Sequence, residues 1–209
     1  MPGNWYERFR TSTRGGLFVT APPHKTYQAT MYPNLLQPNS TEDFVISGKT
    51  IKIPKCIIQF KKWNGVGLKE TFGGKSVIDM NGKPMFAELA IMNLFIQSGW
   101  KAVWVETYAR LKKDPFYMSV WDFEKTYKNQ THSLLLEKEM SEMLAKISEI
   151  KGSYSGCWDV LGWNNKQIIF AESKRMKKDS IRQTQIGWLE AGLKYGLHLE
   201  NFMVVQWDF

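Results

Sequence analysis

The hydrophobic positions of this chain change period along its length, and each change marks an element. Residues 1 to about 40 show no period; Pro, Gly, Thr and Asn interrupt them, so an irregular arm is expected there. Phe44-Val45-Ile46, Thr50-Ile51-Lys52-Ile53 and Cys56-Ile57-Ile58-Gln59-Phe60 are short β-like runs, separated at Gly48-Lys49 and at Pro54. Met85, Phe86, Leu89, Ala90, Ile91, Met92, Leu94, Phe95 and Ile96 then predict a buried helix over 84–98, with Pro84 in its first turn and Gly99 as its C-terminal cap. Alternation from Trp100 to Thr107 predicts a strand, and 108–133 lacks a clear period and reads as an insertion. Leu136, Met140, Met143, Leu144, Ile147 and Ile150 fall at helical spacing, ended by Gly152.

The last third changes period again. Gly156 to Trp163 and Gln167 to Lys174 read as two strands joined at Asn164-Asn165. Ser180-x-x-Gln183 fits a capping box for a helix carrying Ile181, Gln185, Trp188, Leu189, Gly192 and Leu193 on one stripe, with Asp179 as the competing cap. Gly196 ends that helix, and Asn201 to Trp207 closes as a strand. The expected fold class is α/β of the α+β, mixed-sheet kind. It divides into an irregular and β-rich N-terminal extension (1–80) and a core (81–209) ordered helix, strand, insertion with helix, strand, strand, helix, strand.

Composition narrows the function classes. A chain of 209 residues, 43% hydrophobic with nine Trp, is long enough for one substantial core. No run reaches bilayer-spanning length, and Met1-Pro2-Gly3-Asn4-Trp5 lacks a basic-then-apolar signal, so a soluble intracellular protein with no membrane partner is expected, cytoplasmic or at the nucleoid or nucleus. Cys56 and Cys157 are too few for a disulfide scaffold or a Cys-rich zinc site. The net charge of +8 suits a polyanionic partner, because each phosphate met by Lys or Arg releases counterions; simple solubility is the plainer reading. Arg8, Arg10, Arg14, His24 and Lys25 lie among Trp5, Tyr6, Phe9, Phe18 and Tyr27, which either pack on the body or grip a strand by charge and stacking. Lys75-Ser76 after Gly73-Gly74 does not make a phosphate loop.

Two acids carry the candidate chemistry. Side chains alternate along strands, so Asp159 shares a face with Cys157 and Leu161, and Glu172 shares one with Phe170 and Lys174. A hairpin loop of two or four residues puts both acids on one face, opposite or diagonal. Paired carboxylates repel in a purely structural sheet, and a divalent cation removes the repulsion. Asp159, Glu172 and a backbone carbonyl such as that of Ser173 are oxygen donors suited to Mg2+. His24, His132 and His198 have no ligand spacing for zinc. Lys174 is placed to assist an attacking water and to neutralise developing charge. Glu88 has two readings: a first-turn acid at an exposed helix end, favoured by the helix dipole, or a buried acid paired or ligating on the face of Ile91, Met92 and Phe95.

Asp159 followed by Glu172-Ser173-Lys174 resembles the PD-(D/E)XK pattern of restriction-endonuclease-like nucleases. With Gln185-x-x-Trp188-Leu189 on the next helix, a strand after it, and Glu88 upstream, it looks like the VRR-NUC branch, whose members act in replication and repair. The resemblance spans roughly 84–209 and is dense only over 156–207. It implies a restriction-endonuclease-like core, Asp159 and Glu172 as metal ligands, Lys174 as the catalytic lysine, Glu88 as the first-helix acid that completes the site, and Gln185 as its support. One position departs: Trp158 precedes Asp159 where the family often has proline.

The expected function is therefore Mg2+-dependent hydrolysis of DNA phosphodiester bonds, with Mn2+ able to substitute and with flap, branched or junction DNA as substrate. Arg175, Lys177, Lys178 and Arg182 are the candidates for holding phosphates. RNA stays open as a substrate, and junction cleavage would require two sites and hence a homodimer. Two other classes compete: an inactive nuclease-fold module that binds nucleic acid or serves assembly, and an interaction protein whose acids form surface ion pairs.

Overall fold

The computed structural model describes residues 31–108, 114–130 and 134–209. The sequence readings that fall on the N-terminal arm to residue 30, and on His132, lie outside the described residues. Among the described residues, ten strands and three α-helices run in the order β1 (Ser40–Ile46), β2 (Lys49–Gln59), β3 (Lys61–Lys62), β4 (Val77–Met80), β5 (Lys83–Phe86), α1 (Ala87–Gln97), β6 (Lys101–Glu106), β7 (Phe116–Met118), α2 (Lys138–Lys151), β8 (Val160–Trp163), β9 (Ile168–Arg175), α3 (Gln183–Tyr195) and β10 (Phe202–Asp208). The fold is mixed α/β. Seven strands form one mixed sheet in the order β1-β2-β10-β9-β8-β6-β7, and β3-β4-β5 form a second, small one.

In the large sheet β10 is parallel to both β2 and β9, and the remaining pairs are antiparallel. The parallel centre explains the near-continuous apolar run Phe202-Met203-Val204-Val205, since those side chains are buried on both faces. Edge strand β1 buries only Phe44 and blunts its edge with charge: Asp43 meets Lys52 directly across the pair and Glu42 meets Lys55 diagonally. β2 runs straight through Pro54, where two runs were expected. Pairing with β10 begins one residue later, at Lys55, so proline costs that ladder nothing.

Helices cover both faces. On one side α1 packs with Ile169, Ala171, Val160 and Trp104 around Phe86, Leu89 and Phe95. On the other, α2 and α3 pack with Trp158, Leu161, Phe170 and Phe202 around Leu144, Ile147, Trp188 and Leu189. Gly162 is required by the first packing, because a Cβ there would lie 2.3 Å from the Phe95 ring. Among the described residues no helix is long and apolar enough to cross a membrane.

Helix α1 starts at Ala87, not at Pro84. Asn81 and Gly82 both have left-handed backbone (φ 56° and 80°), the signature of a tight two-residue hairpin, and they commit Lys83–Phe86 to β5 against β4. The helix ends as expected at Gly99 (φ 81°). Helix α3 likewise starts later than the Ser180 box implies. Its first turn is closed by Gln185, whose Oε1 accepts from the Arg182 N–H at 2.8 Å, while Asp179 instead accepts from the Arg175 N–H at 3.0 Å.

Candidate active site

Two strands and the start of α3 build the first half of the site. In the β8–β9 hairpin Val160 pairs with Ala171 and Trp163 with Ile168, leaving a four-residue loop 164–167. Continued one step, the register sets Asp159 opposite Glu172, the direct arrangement that strand parity allows. Asp159 falls just before β8 rather than within it. It is held through both backbone and side chain all the same: its carbonyl accepts from the Val105 N–H at 2.8 Å, and its Oδ2 accepts from the Ser173 N–H at 2.9 Å.

Gly156 explains how this segment reaches α3. It has φ 74°, and a Cβ on it would lie 2.3 Å from the Thr184 carbonyl carbon, so glycine alone lets the two backbones touch. Trp158 then donates its indole N–H to the Gln185 carbonyl at 3.2 Å and packs in the core against Phe202, with ring centroids 5.1 Å apart. That is a structural role for the one residue that departs from the resembled pattern. Gln185 Nε2 in turn donates to Glu172 Oε1 at 2.5 Å, and Lys174 Nζ lies 3.0 Å from the same oxygen. Glu172 is 1% exposed, and its other oxygen, Oε2, is buried with no donor in reach. The Asp159 carboxyl is within hydrogen-bonding reach of Glu172, which makes a bond only when one of the two is protonated.

The second half comes from the α1 side. Glu88 lies in the first turn of α1 and is buried, so each of its two readings is partly met; the exposed helix end is not. Its Oε1 is 2.6 Å from Lys75 Nζ. Glu106, at the end of β6, is also buried and accepts from the Tyr108 N–H at 2.6 Å. Sequence reasoning missed both Lys75 and Glu106. The parity that singled out Glu172 would have found Glu106, an acid two residues after the buried Trp104 on the same strand face. Lys75 sits in a glycine-rich loop with no period to mark it.

Among the described residues, the buried polar and charged side chains are Glu88, Glu106, Glu172, Lys174 and Gln185, and all of them belong to this cluster. Burial pushes the Glu172 carboxyl well above the usual carboxylate range; the Asp159 charge adds to the rise and Lys174 opposes it. Burial also raises Asp159, with Glu88 adding and Lys75, Lys174 and the Ser173 N–H opposing. Glu106 is pushed up to about 7, mainly by burial, against the pull of the Tyr108 N–H and Lys75. Burial opposes the charge on Lys75, but Glu88, Asp159 and Glu106 outweigh it and hold its ammonium above the usual lysine range.

With every carboxyl ionised, four carboxylates would face two ammonium groups, a formal excess of two negative charges. Among the described residues, no three His, Cys, Asp or Glu side chains are drawn together tightly enough to hold a metal ion as they stand. The residues nevertheless fit a hard divalent cation: the donors are oxygens, Glu172 Oε2 lacks a partner, and one such ion would balance the charge.

The basic candidates divide. Arg175 is committed within the protein: its guanidinium bonds Ser76 Oγ at 2.7 Å and Asp208 Oδ1 at 3.4 Å, and lies over the Phe209 ring. Lys177, Lys178 and Arg182 are exposed on the turn after β9 and at the start of α3. Ser173 Oγ accepts from the Trp207 indole N–H at 3.0 Å. A cavity of about 490 Å3 lies at the opposite end of the hairpin, lined by Asn164, Gln167, His198 and Asn201 among others, and it contains none of these acids. Comparison with protein-family models, with curated proteins and with solved structures finds no match to this chain, so any kinship rests on the residues of the site themselves.

Proposed function

We propose that this protein is a metal-dependent nuclease with a restriction-endonuclease-like core of the VRR-NUC kind, hydrolysing DNA phosphodiester bonds with a preference for flap, branched or junction DNA. The observation that carries the reading is the gathering of the buried charged side chains around Asp159 and Glu172, at the end of a hairpin whose next helix supplies Gln185. The order α1, β6, insertion with α2, β8, β9, α3, β10 agrees with the element order expected from the sequence and supports the reading.

Asp159 and Glu172 would hold Mg2+, or Mn2+ in its place, with Glu88 and the Ser173 carbonyl as further oxygen donors. When bound, the ion would polarise the phosphate and stabilise the leaving oxygen. The remaining work falls to the chain. Lys174, fixed against Glu172, orients the attacking water and offsets charge on the phosphate as it develops. Gln185 fixes the Glu172 carboxyl by donating to one oxygen, while the other keeps its lone pairs unpartnered. Lys177, Lys178 and Arg182 present the exposed positive charge that a DNA backbone would meet.

A second reading, an inactive nuclease-fold module that binds nucleic acid, is favoured by one observation: Glu88 is paired with Lys75, and the acids do not form a closed ligand set. Cleavage of single-stranded, duplex, flap and four-way DNA with Mg2+ and with Mn2+ separates the two. The nuclease reading expects cleavage of at least one substrate and a loss of about 10³-fold in Glu172→Ala with the fold retained by circular dichroism. No metal-stimulated cleavage of any substrate, with DNA still bound, would favour the module.

A further inference from the structure

The nuclease reading gives no part to two charged groups of the site, Glu106 and Lys75, and Lys75 is the cationic one. It follows a turn in which Phe72, Gly73 and Gly74 all take left-handed backbone, with φ 50°, 75° and 86°. The insertion holds that turn from outside. The Phe72 ring lies parallel to Tyr127 at 4.9 Å and stands 5.0 Å from Trp121, and the Glu70 N–H donates to the Phe123 carbonyl at 3.0 Å. The turn delivers the Lys75 ammonium to 2.6 Å from Glu88, with the rings of Trp104 and Phe72 at 5.1 and 5.2 Å. Asp159 and Glu106 act on the same ammonium.

We propose that Lys75 is a resident cation of the acid cluster, an internal competitor that satisfies Glu88 until a divalent ion takes its carboxylate. The proposal rests on the metal-dependent reading above. Lys75 holds Glu88 Oε1 at hydrogen-bond distance, and a divalent ion on the same carboxylate would repel that ammonium at such range. Entry of the ion therefore weakens the Lys75–Glu88 bond. The aromatic rings beside the ammonium offer a cation–π contact for the displaced charge. Lys75 thereby lowers the affinity of the site for divalent ions and keeps the acids from repelling one another while no such ion is bound.

The test is Mn2+ binding, read from the loss of the free-ion paramagnetic resonance signal, for the whole chain and for Lys75→Met, Lys75→Gln and Lys75→Arg. Lys75→Met and Lys75→Gln should bind Mn2+ tenfold or more tightly than the unsubstituted protein, and Lys75→Arg, which keeps the charge, should not. Near-ultraviolet circular dichroism checks folding; if Lys75→Met does not fold, the contrast between Lys75→Gln and Lys75→Arg decides. Unchanged or weaker binding in the neutral variants, while the unsubstituted protein binds, would overturn the proposal alone and make Lys75 a support for Glu88. No Mn2+ uptake by any of the four proteins would overturn the metal reading and the proposal with it.

Discussion

The two halves of the acid cluster are held in different ways. On the α3 side the side chains are held mainly by backbone and neutral donors: Ser173 N–H to Asp159, Gln185 to Glu172, and Trp158 to the Gln185 carbonyl. The Lys174–Glu172 ion pair there joins two residues of the same strand. On the α1 side Glu88 is held by an ion pair with Lys75, and Glu106 by the backbone N–H of Tyr108. Neutral hydrogen bonds from fixed strands and a helix terminus keep their geometry whatever ion is present. An ion pair to a lysine on a loop exchanges partners when a stronger cation arrives. The α3 side is therefore the scaffold of the site, and the α1 side is the part that responds.

The sharpest way to break that contrast is through pH. Glu106 has its pKa raised from 4.5 to about 7, so between those values the folded chain holds a proton that the unfolded chain has released. Its contribution to stability is complete below about pH 4.5 and is lost as pH rises through about 7. The cost is about 3 kcal/mol at 1.36 kcal/mol per pH unit. Urea denaturation with a chelator, from pH 4.5 to 8, should show stability falling with pH, and Glu106→Gln should remove about that much of the fall. An identical slope in Glu106→Gln would assign the whole effect to Asp159 and Glu172, on the side taken as rigid.

A smaller effect is expected at Gln185. Gln185→Ala leaves Glu172 without its orienting donor and should lower cleavage by roughly 10- to 100-fold, as for other groups that orient a ligand. Single-turnover rates with saturating metal measure it. Full recovery of the rate at high Mn2+ would move Gln185 from fixing geometry to merely aiding affinity.

The same contrast accounts for what could be read from the sequence. The hairpin half was legible because it is local: a period of two, a four-residue loop and a helix stripe with one polar member are properties of consecutive residues. Glu88 was legible as an acid in an apolar helix, but not its partner. Lys75 reaches it through three successive left-handed residues and a ring docked on the insertion, contacts between segments that no periodicity records. The start of α1 was misplaced for a local reason, the Asn81-Gly82 turn that gives Pro84 to a strand. Trp158, the departure from the resembled pattern, is explained by burial and by its bond to α3.

Whether the two halves make one site is tested most directly by a double-mutant cycle on DNA cleavage, with Asp159→Ala from the α3 side, Glu88→Ala from the α1 side, and the pair combined. Residues that act as a unit are strongly non-additive. A single site predicts that each substitution lowers cleavage by roughly 10²- to 10³-fold and that the double variant is no slower than the worse of the two. Cleavage by Asp159→Ala at the unsubstituted rate would contradict the site itself, and losses that simply multiply in the double variant would contradict its unity.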